Sequence, residues 1–208
     1  LDLNENTLSP VKLADGAKAA TEAGGYMAVV TSSGTLKVYE NGIKSTPITY
    51  ATGGVADAAI CTGNSIYGKP SENTLEKAIK DYARYGDMIV YYVVYAIGDN
   101  GVLTRYFKVG ENVFCETVAR NVTALQSDVV NGSNLYYLTA DGILYSFIGS
   151  DPNTLAPKEV ASNVKLFAVN RSQCYAVKSD GLWYIDKNDK ISDGVSALAA
   201  VDSRVCLL

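Results

Sequence analysis

The sequence predicts an all-β fold, a small β-propeller of about five blades, from three observations. First, a strand, a tight turn and a second strand occur together four times, in MAVVTSSGTLKVY, VVYAIGDNGVLTRYF, LYYLTADGILYSF and AVKSDGLWYI. Second, apolar residues alternate with polar ones on both sides of each turn, which places one face of each hairpin on a core. Third, the turn glycines are 67, 41 and 39 residues apart: Gly34, Gly101, Gly142 and Gly181. A period near ~40 residues in an all-β chain indicates propeller blades.

Each hairpin is expected to have a two-residue turn, because Gly accepts positive φ and Asp or Asn often precedes it in such turns. Apolar residues stand four positions before each glycine and two positions after it. The residues before the turn are Val30, Ile97, Leu138 and Val177, and those after it are Leu36, Leu103, Leu144 and Trp183. These positions are the predicted core of each blade.

We assign the blades to repeats at about 15–53, 54–120, 121–162, 163–192, and 193–208 together with 1–14, all within one domain. The first repeat has a short inner strand of small residues, AKAAT. Pro10, Pro47 and Pro157 occupy matching places in the pattern. Proline suits an outer edge strand, where no ladder N–H is required.

The second repeat contains an insertion, for which we predict a helix at about 69–86. Ser71 is a suitable N-cap, and Gly86 can end the helix. Leu75, Ala78, Ile79 and Tyr82 form one apolar stripe. The following strand, MIVYYVVYAI, is almost continuously apolar and is expected to be buried on both sides.

The two chain ends resemble two parts of one blade. The segment DGVSALAAVDSRVCLL begins a fifth repeat and stops four residues before its turn glycine would occur. Leu1 and Leu3 resemble the strand that would follow that turn. We therefore expect four continuous blades and one composite blade, which would remove the open edges of the ring. The alternative is a piece of a larger propeller.

The composition excludes some partners and favours others. Charged residues make up 19% of the chain and the net charge is −4, so no basic face for nucleic acid is expected. No apolar run reaches membrane-spanning length, and residues 1–20 lack the pattern of a signal peptide. A trimmed secreted domain would look the same. The Tyr-rich, weakly charged composition favours a secreted or cell-surface setting, and a cytoplasmic one stays open.

The cysteines are expected to be buried free thiols in core positions: Cys61, Cys115, Cys174 and Cys206. The chain contains no histidine and no CxxC pair, which excludes a Cys/His zinc site. One disulfide stays possible in an exported protein.

The order of elements resembles the repeat of the regulator of chromosome condensation family and its bacterial relatives. The best matches are NVKLFAVNRSQCYAVKSDGLWYI and GAKAATEAGGYMAVVTSSGTLKVY. The family's Gly-x-x-His-Ser element is absent, and its Trp-Gly is only echoed by Trp183-Tyr184. The resemblance implies a propeller that acts as an interaction scaffold, although the family typically has seven blades. No catalytic residue can be carried over.

Residues for catalysis or cofactor binding are scarce. Without histidine the usual general base and the Ser-His-Asp triad are absent, and no phosphate-binding glycine motif occurs. The turn acids Asp99, Asp141 and Asp180 are interpreted as turn formers. The segment DKNDKISDG (186–194) is oxygen-rich but lacks calcium-loop spacing, so we interpret it as a loop between blades. No catalytic residue, cofactor or metal is predicted.

We therefore predict a non-enzymatic scaffold that binds a partner protein through its loops and the helical insertion. The candidate surface residues are Tyr82, Arg84, Tyr85 and Trp183. A lectin-like propeller is the alternative, because exposed aromatic rings can stack on sugars. A carboxylate-dependent enzyme is a further alternative, and it would require acids that converge in one cleft.

Overall fold

A computed structural model describes residues 16–43, 45–68, 88–109, 111–128, 133–149, 156–170, 173–201 and 204–207. This part of the chain forms four four-stranded antiparallel sheets and a two-stranded hairpin. The predicted all-β, propeller-like architecture is therefore confirmed. The predicted helix at 69–86 and the N-terminal part of the composite blade, residues 1–14, lie outside the described residues, so both stay predictions.

Each sheet contains one predicted hairpin and is built from four strands that are consecutive in the chain. The first sheet has β1 (Ala17–Ala23), β2 (Tyr26–Thr31), β3 (Leu36–Ile43) and β4 (Ile48–Ala51). The second has β5 (Val55–Gly68), β6 (Met88–Gly98), β7 (Leu103–Val109) and β8 (Asn112–Ala119). The third has β9 (Val122–Ser127), β10 (Asn134–Thr139), β11 (Leu144–Ile148) and β12 (Lys158–Ala161).

The fourth sheet and the hairpin complete the described fold. The fourth sheet has β13 (Val164–Asn170), β14 (Gln173–Lys178), β15 (Gly181–Tyr184) and β16 (Asp189–Ser192). A short 3-10 helix, Ile185–Lys187, lies between its last two strands. The C-terminal hairpin has β17 (Leu198–Val201) and β18 (Arg204–Leu207). The interpretation of the whole segment 186–194 as a loop was thus wrong, because Asp189–Ser192 within it is the outermost strand of the fourth sheet.

The predicted two-residue turn is wrong for the first three hairpins. Their strands pair as Val30↔Leu36, Ile97↔Leu103 and Leu138↔Leu144. Gly34, Gly101 and Gly142 have φ of 76°, 72° and 79°. Glycine in this left-handed conformation after a type I turn gives a three-residue loop.

The fourth hairpin does have a two-residue turn, with Lys178 paired to Gly181. Because this turn is one residue shorter, Leu182 and not Trp183 occupies the core position after it. Leu182 is 1% exposed and pairs with Val177. The sequence alignment on the glycine therefore gave the wrong core residue in this sheet.

A hydrogen bond links each of the first three turns to the next sheet. The carbonyl groups of Gly34, Gly101 and Gly142 accept the N–H groups of Val55, Val122 and Val164 at 3.1, 2.9 and 2.9 Å. These valines begin the first strand of the following sheet. The turn and the next sheet are so close that a Cβ on Gly142 would lie 3.1 Å from the carbonyl oxygen of Val164. Glycine is therefore required there for space as well as for φ.

A residue with positive φ stands at the start of each repeat. These residues are Gly16, Gly54, Asn121, Asn163 and Gly194, with φ of 59°, 73°, 58°, 58° and 68°. Glycine and asparagine are the residues that take this conformation most readily. The carbonyls of Gly54 and Asn121 accept the N–H groups of Asp99 and Ala140 at 2.8 and 2.7 Å, so each junction also binds its own sheet's turn.

The sheets follow one another in chain order, with their first strands in contact: β1 with β5, β5 with β9, β9 with β13, and β13 with β17. Three apolar clusters fill the grooves between successive sheets. The first groove lies between the first and second sheets, the second groove between the second and third sheets, and the third groove between the third and fourth sheets. Strand β6 is buried on both sides as predicted, since Val94 faces the first groove and Tyr95 the second. The sheets on either side provide that burial.

The insertion begins as an extension of two strands. Residues Ile66, Tyr67 and Gly68 of β5 pair with Val90, Ile89 and Met88 of β6, after an irregularity between Thr62 and Ile66.

Many of the tyrosines belong to the core. The buried ones are Tyr39, Tyr50, Tyr92, Tyr95, Tyr136 and Tyr137. Among the described residues no helix has the length and apolarity needed to cross a membrane.

The first test concerns the turn glycines. Gly142→Ala should lower the free energy of unfolding by about 1–3 kcal/mol, because alanine disfavours φ of 79° and its Cβ would press on the third-to-fourth sheet junction. Gly25→Ala is the control, since Gly25 has φ of 84° but open space around a Cβ. Urea unfolding followed by circular dichroism measures both. Equal losses would show that the contact with Val164 is unimportant.

The second test concerns the composite blade. Deleting residues 1–14 should lower the melting temperature by about 5 °C if these residues complete the C-terminal hairpin. A chain in which the same fourteen residues are scrambled controls for length and composition. If the deleted chain melts at the same temperature as the intact chain, the composite blade is wrong, and the larger propeller becomes the better interpretation.

Candidate binding surface

The three grooves differ at one row of cross-strand partners, which we call the outer row. It contains Ala28, Val38 and Ile48 in the first groove, Tyr95, Arg105 and Glu116 in the second, and Tyr136, Ser146 and Lys158 in the third. In each sheet the first two residues stand at the same offset from the turn. The outer row therefore allows a direct comparison of what fills each groove.

The first groove is filled by apolar packing and a polar network beside it. Ala28 and Val38 are 0% exposed. Glu40, two residues after Val38, accepts the Tyr92 hydroxyl at 2.6 Å and the Lys108 ammonium at 2.9 Å. The Tyr92 hydroxyl also bonds to that of Tyr50. Burial is the main reason why the pKa of Tyr92 is well above its usual range, so the hydroxyl stays protonated.

The second groove contains polar groups that find partners inside the chain. Arg105 is 3% exposed and donates to Glu116 from Nε at 2.9 Å and from Nη2 at 2.6 Å. Tyr95 donates its hydroxyl to the backbone carbonyl of Gly149 at 2.7 Å, across the groove. Phe107, two residues beyond Arg105, is 0% exposed. Arg105 Nη1 is buried without a partner in the part of the chain described.

The third groove contains a recess of about 450 Å³ beside the third sheet. Its lining residues are Asn134, Tyr136, Ser146, Phe147, Ile148, Ala156 and Lys158. Ile148, which corresponds to Phe107, is 61% exposed. A volume of this size suits one small molecule or a few side chains.

The recess is lined by residues of the third sheet and by Ala156 just before its last strand, and the fourth sheet presents small side chains to the same groove. Cys174 and Ala176 of β14 pack in the third groove, whereas β10 presents the larger Leu135 and Tyr137 to the second groove. Cys174 and Ala176 fill the inner part against Leu138 and its neighbours. The difference in side-chain volume leaves the outer row of the third groove uncovered.

Tyr136 is the most informative side chain of the recess. It is 6% exposed, and its hydroxyl forms no hydrogen bond with any described residue. Burial raises the pKa of Tyr136, and the nearby Cys174, Asp186 and Asp128 raise it further. The hydroxyl is therefore a neutral donor at physiological pH. The fully buried, unpartnered side-chain atoms of the described residues do not include this hydroxyl, so it is accessible from the recess and can donate to a ligand there.

The thiols near the recess are not activated. Burial, followed by the charge of Asp186, raises the pKa of Cys174 to about 12. Burial also raises the pKa of Cys61 far above its usual range. Thiols with raised pKa are poor nucleophiles. The expectation of buried free thiols is confirmed for these two and is wrong for Cys115, which is free but exposed on the outer strand β8.

Of the four predicted surface residues, only Trp183 lies in the described part of the chain. Its indole N–H donates to Asp180 Oδ1 at 2.9 Å, and the Lys178 ammonium lies 4.9 Å from the ring centroid. The turn of the fourth hairpin therefore uses both the N–H group and one ring face. Tyr82, Arg84 and Tyr85 lie outside the described residues, so their grouping with Trp183 stays a prediction.

The turn acids do not converge in the described structure, since each belongs to a different sheet. Asp99 lies 3.6 Å from the Lys18 ammonium, while Asp180 bonds to Trp183. The indole N–H is the main cause that lowers the pKa of Asp180. Within the described ranges no group of three or more Cys, Asp or Glu side chains could hold a metal ion.

Sequence reasoning missed the recess because each of its lining residues is ordinary for a strand. Asn134, Tyr136, Ser146 and Ile148 alternate along two paired strands, as any sheet face would. One signal was available, namely a polar outer row in the third hairpin against an apolar one in the first. Its meaning depended on the small residues of another sheet, which only the fold brings opposite.

Comparison with solved structures supports the fold alone. The chain is similar to human WBSCR16, with a TM-score of 0.57 and 13% sequence identity, over 94% of this chain and 60% of that one. It is more remotely similar to the computationally designed Ika8 protein, with a TM-score of 0.48 and 13% identity over 92% of this chain and 54% of that one. Yeast RCC1 (Prp20), in its complex with Kap60, gives a TM-score of 0.44 and 11% identity, over 77% of this chain and 41% of that one.

The chain thus spans about 60% of the length of the WBSCR16 chain that it matches. No protein-family model and no curated protein sequence matches it. The likeness to RCC1 is too remote to decide the resemblance to the regulator of chromosome condensation family, so that membership stays a proposal.

The cysteines provide a test of the burial around the recess. Iodoacetamide at pH ~8 should modify Cys115 in the folded protein and leave Cys61 and Cys174 unmodified, because Cys115 is exposed whereas burial shields the other two thiols and raises their pKa. Peptide mapping by mass spectrometry measures each site separately. In denaturant all three should react. Modification of Cys174 in the folded protein at the rate of Cys115 would contradict the described packing of the third groove.

Proposed function

We propose that this chain is a non-enzymatic protein-interaction module that holds an apolar side chain of a partner protein in the recess of the third groove. The observation that carries the proposal is a nine-tenths buried tyrosine, Tyr136, whose hydroxyl lacks a partner among described residues beside the exposed Ile148. The chain fills the equivalent places of the first two grooves with its own side chains. A partner would do the same for the third.

Physical arguments favour binding over chemistry at this place. The pKa of Tyr136 and that of Cys174 are raised, so neither group is a base or a nucleophile at neutral pH. A recess lined by Ile148, Ala156 and the ring of Tyr136 instead favours burial of apolar surface. Apolar anchors placed in pockets commonly dominate the affinity of protein interfaces. A secreted or cell-surface setting remains part of this proposal, on composition alone.

The sugar-binding alternative has less support. Its best described candidate, Trp183, already donates its N–H group and has Lys178 over its ring. A sugar that stacked on this ring would have to displace the lysine. We therefore retain glycan binding as an outcome to be tested and propose the protein partner first.

Peptides selected from a random phage-displayed library on the immobilised chain provide the test. Ile148→Asp should weaken their binding at least about tenfold, because it places a charge at the mouth of an apolar recess. Ile191→Asp is the matched control: Ile191 is 49% exposed on β16 and does not line the recess. Its affinity should stay within about twofold of the unaltered chain.

Fluorescence polarisation measures the affinities, and circular dichroism verifies that both variants fold. If the library yields no binder, or if both variants bind selected peptides equally, the recess is not the interaction site. Binding on a glycan array together with an empty peptide selection would favour the lectin alternative.

A further inference from the structure

Four polar side chains surround the recess, and each can donate a hydrogen bond, although Asn134 and Ser146 can equally accept one. They are Asn134, Tyr136, Ser146 and Lys158, and none forms a side-chain hydrogen bond or ion pair with a described residue. Lys158 carries a positive charge at the outer end of the row. Glu159, the next residue, pairs with Tyr145 and so lies on the opposite face of the sheet. A ligand that suits this row should therefore offer one acceptor to the Tyr136 hydroxyl and another to the Lys158 ammonium.

The second groove shows what acceptors complete such a row. There the tyrosine of the row, Tyr95, donates to a backbone carbonyl, that of Gly149. The cation of the row, Arg105, donates to a carboxylate, that of Glu116. In the third groove Tyr136 stands in the place of Tyr95, Ser146 in that of Arg105, and Lys158 in that of the carboxylate Glu116. Among the described residues this row therefore ends in a cation, and a ligand would supply a neutral carbonyl at the tyrosine and a carboxylate at Lys158.

The surrounding charges fix which acceptor belongs at which end. Asp128 and Asp186 act on the Tyr136 hydroxyl, so an anion placed there would be repelled. Lys158 is exposed at the rim and would attract one. Ser146 lies between the two ends, and beside the row Ile148 and the ring of Tyr136 offer apolar surface. The deep acceptor should therefore be uncharged and the outer one acidic.

From this complementarity we propose that the recess recognises a peptide segment in which an apolar residue is followed by an acidic residue. The apolar side chain packs on Ile148, a backbone carbonyl of the segment accepts the Tyr136 hydroxyl, and the carboxylate pairs with Lys158. This inference rests on the proposed function, since it names the chemistry of the partner that the recess would hold.

Three capped dipeptides test the inference: the N-acetyl N-methylamides of Leu-Asp, Leu-Asn and Leu-Lys, titrated into the intact chain and followed by two-dimensional NMR. Leu-Asp should bind about 3- to 5-fold more tightly than Leu-Asn, and Leu-Lys most weakly, since an exposed ion pair contributes modestly. About 0.5 M salt should remove these differences. Tyr136→Phe should weaken all three by about 5-fold, the effect of one hydrogen bond.

Lys158→Glu should reverse the preference, so that Leu-Lys becomes the tightest of the three. Lys165→Glu is the matched control, because Lys165 is exposed on β13 and does not line the recess. It should leave the order of affinities unchanged.

The outcomes separate this inference from the proposed function. Suppose that the three dipeptides bind equally and Lys158→Glu changes nothing, while Ile148→Asp still abolishes binding. The preference for an acidic residue is then disproved, and the recess remains the binding site. If Ile148→Asp leaves every affinity unchanged, the recess itself is not the site and both proposals fall. A reversal by Lys158→Glu that Lys165→Glu does not reproduce supports the inference.

Discussion

The rest of the structure depends on one hydrogen bond, which the N–H group of the first residue of a sheet donates to the carbonyl of the turn glycine in the preceding sheet. It occurs at Gly34 with Val55, at Gly101 with Val122 and at Gly142 with Val164. A hairpin alone has no fixed relation to its neighbour, because the grooves between sheets are filled by non-directional apolar contacts. The turn-to-strand bond supplies direction, and glycine permits it by allowing close approach and a positive φ.

Once the junctions are fixed, side-chain volume decides what each groove becomes. Large residues on the facing sheet close a groove, as Leu135 and Tyr137 do for the second. Small residues leave space, as Cys174 and Ala176 do for the third. The described residues leave the recess of the third groove unfilled beside the accessible Tyr136 hydroxyl, and this open volume is where we propose that a partner binds. The candidate binding surface thus follows from the fold's own regularity, by comparison of equivalent positions.

The predicted hairpins and the buried strand β6 agree with the structure because they depend on local patterns. Alternation and turn residues act over a few positions, and the chain shows them directly. The predictions that failed depended on single-residue differences or on distant parts of the chain. The shorter turn at Gly181 moved Leu182 into the core in place of Trp183. Within the segment 186–194, which was interpreted as a loop, Asp189–Ser192 pairs with β15 as a fourth strand. Its polarity suits an outermost strand with one neighbour.

By itself the sequence determined the all-β class, the four hairpins and the spacing that stacks them, since these follow from side-chain periodicity and from glycine at turns. It also determined which residues are strand, turn or core in most places. Only the tertiary structure decided that the Tyr136 side chain is largely buried with no hydrogen-bond partner among the described residues, that Ile148 stays exposed, and that Lys158 ends the same row. The reason is physical: burial and hydrogen bonding at these residues depend on the size of side chains such as Ala176, which lie some forty residues away along the chain and become neighbours only when the sheets stack.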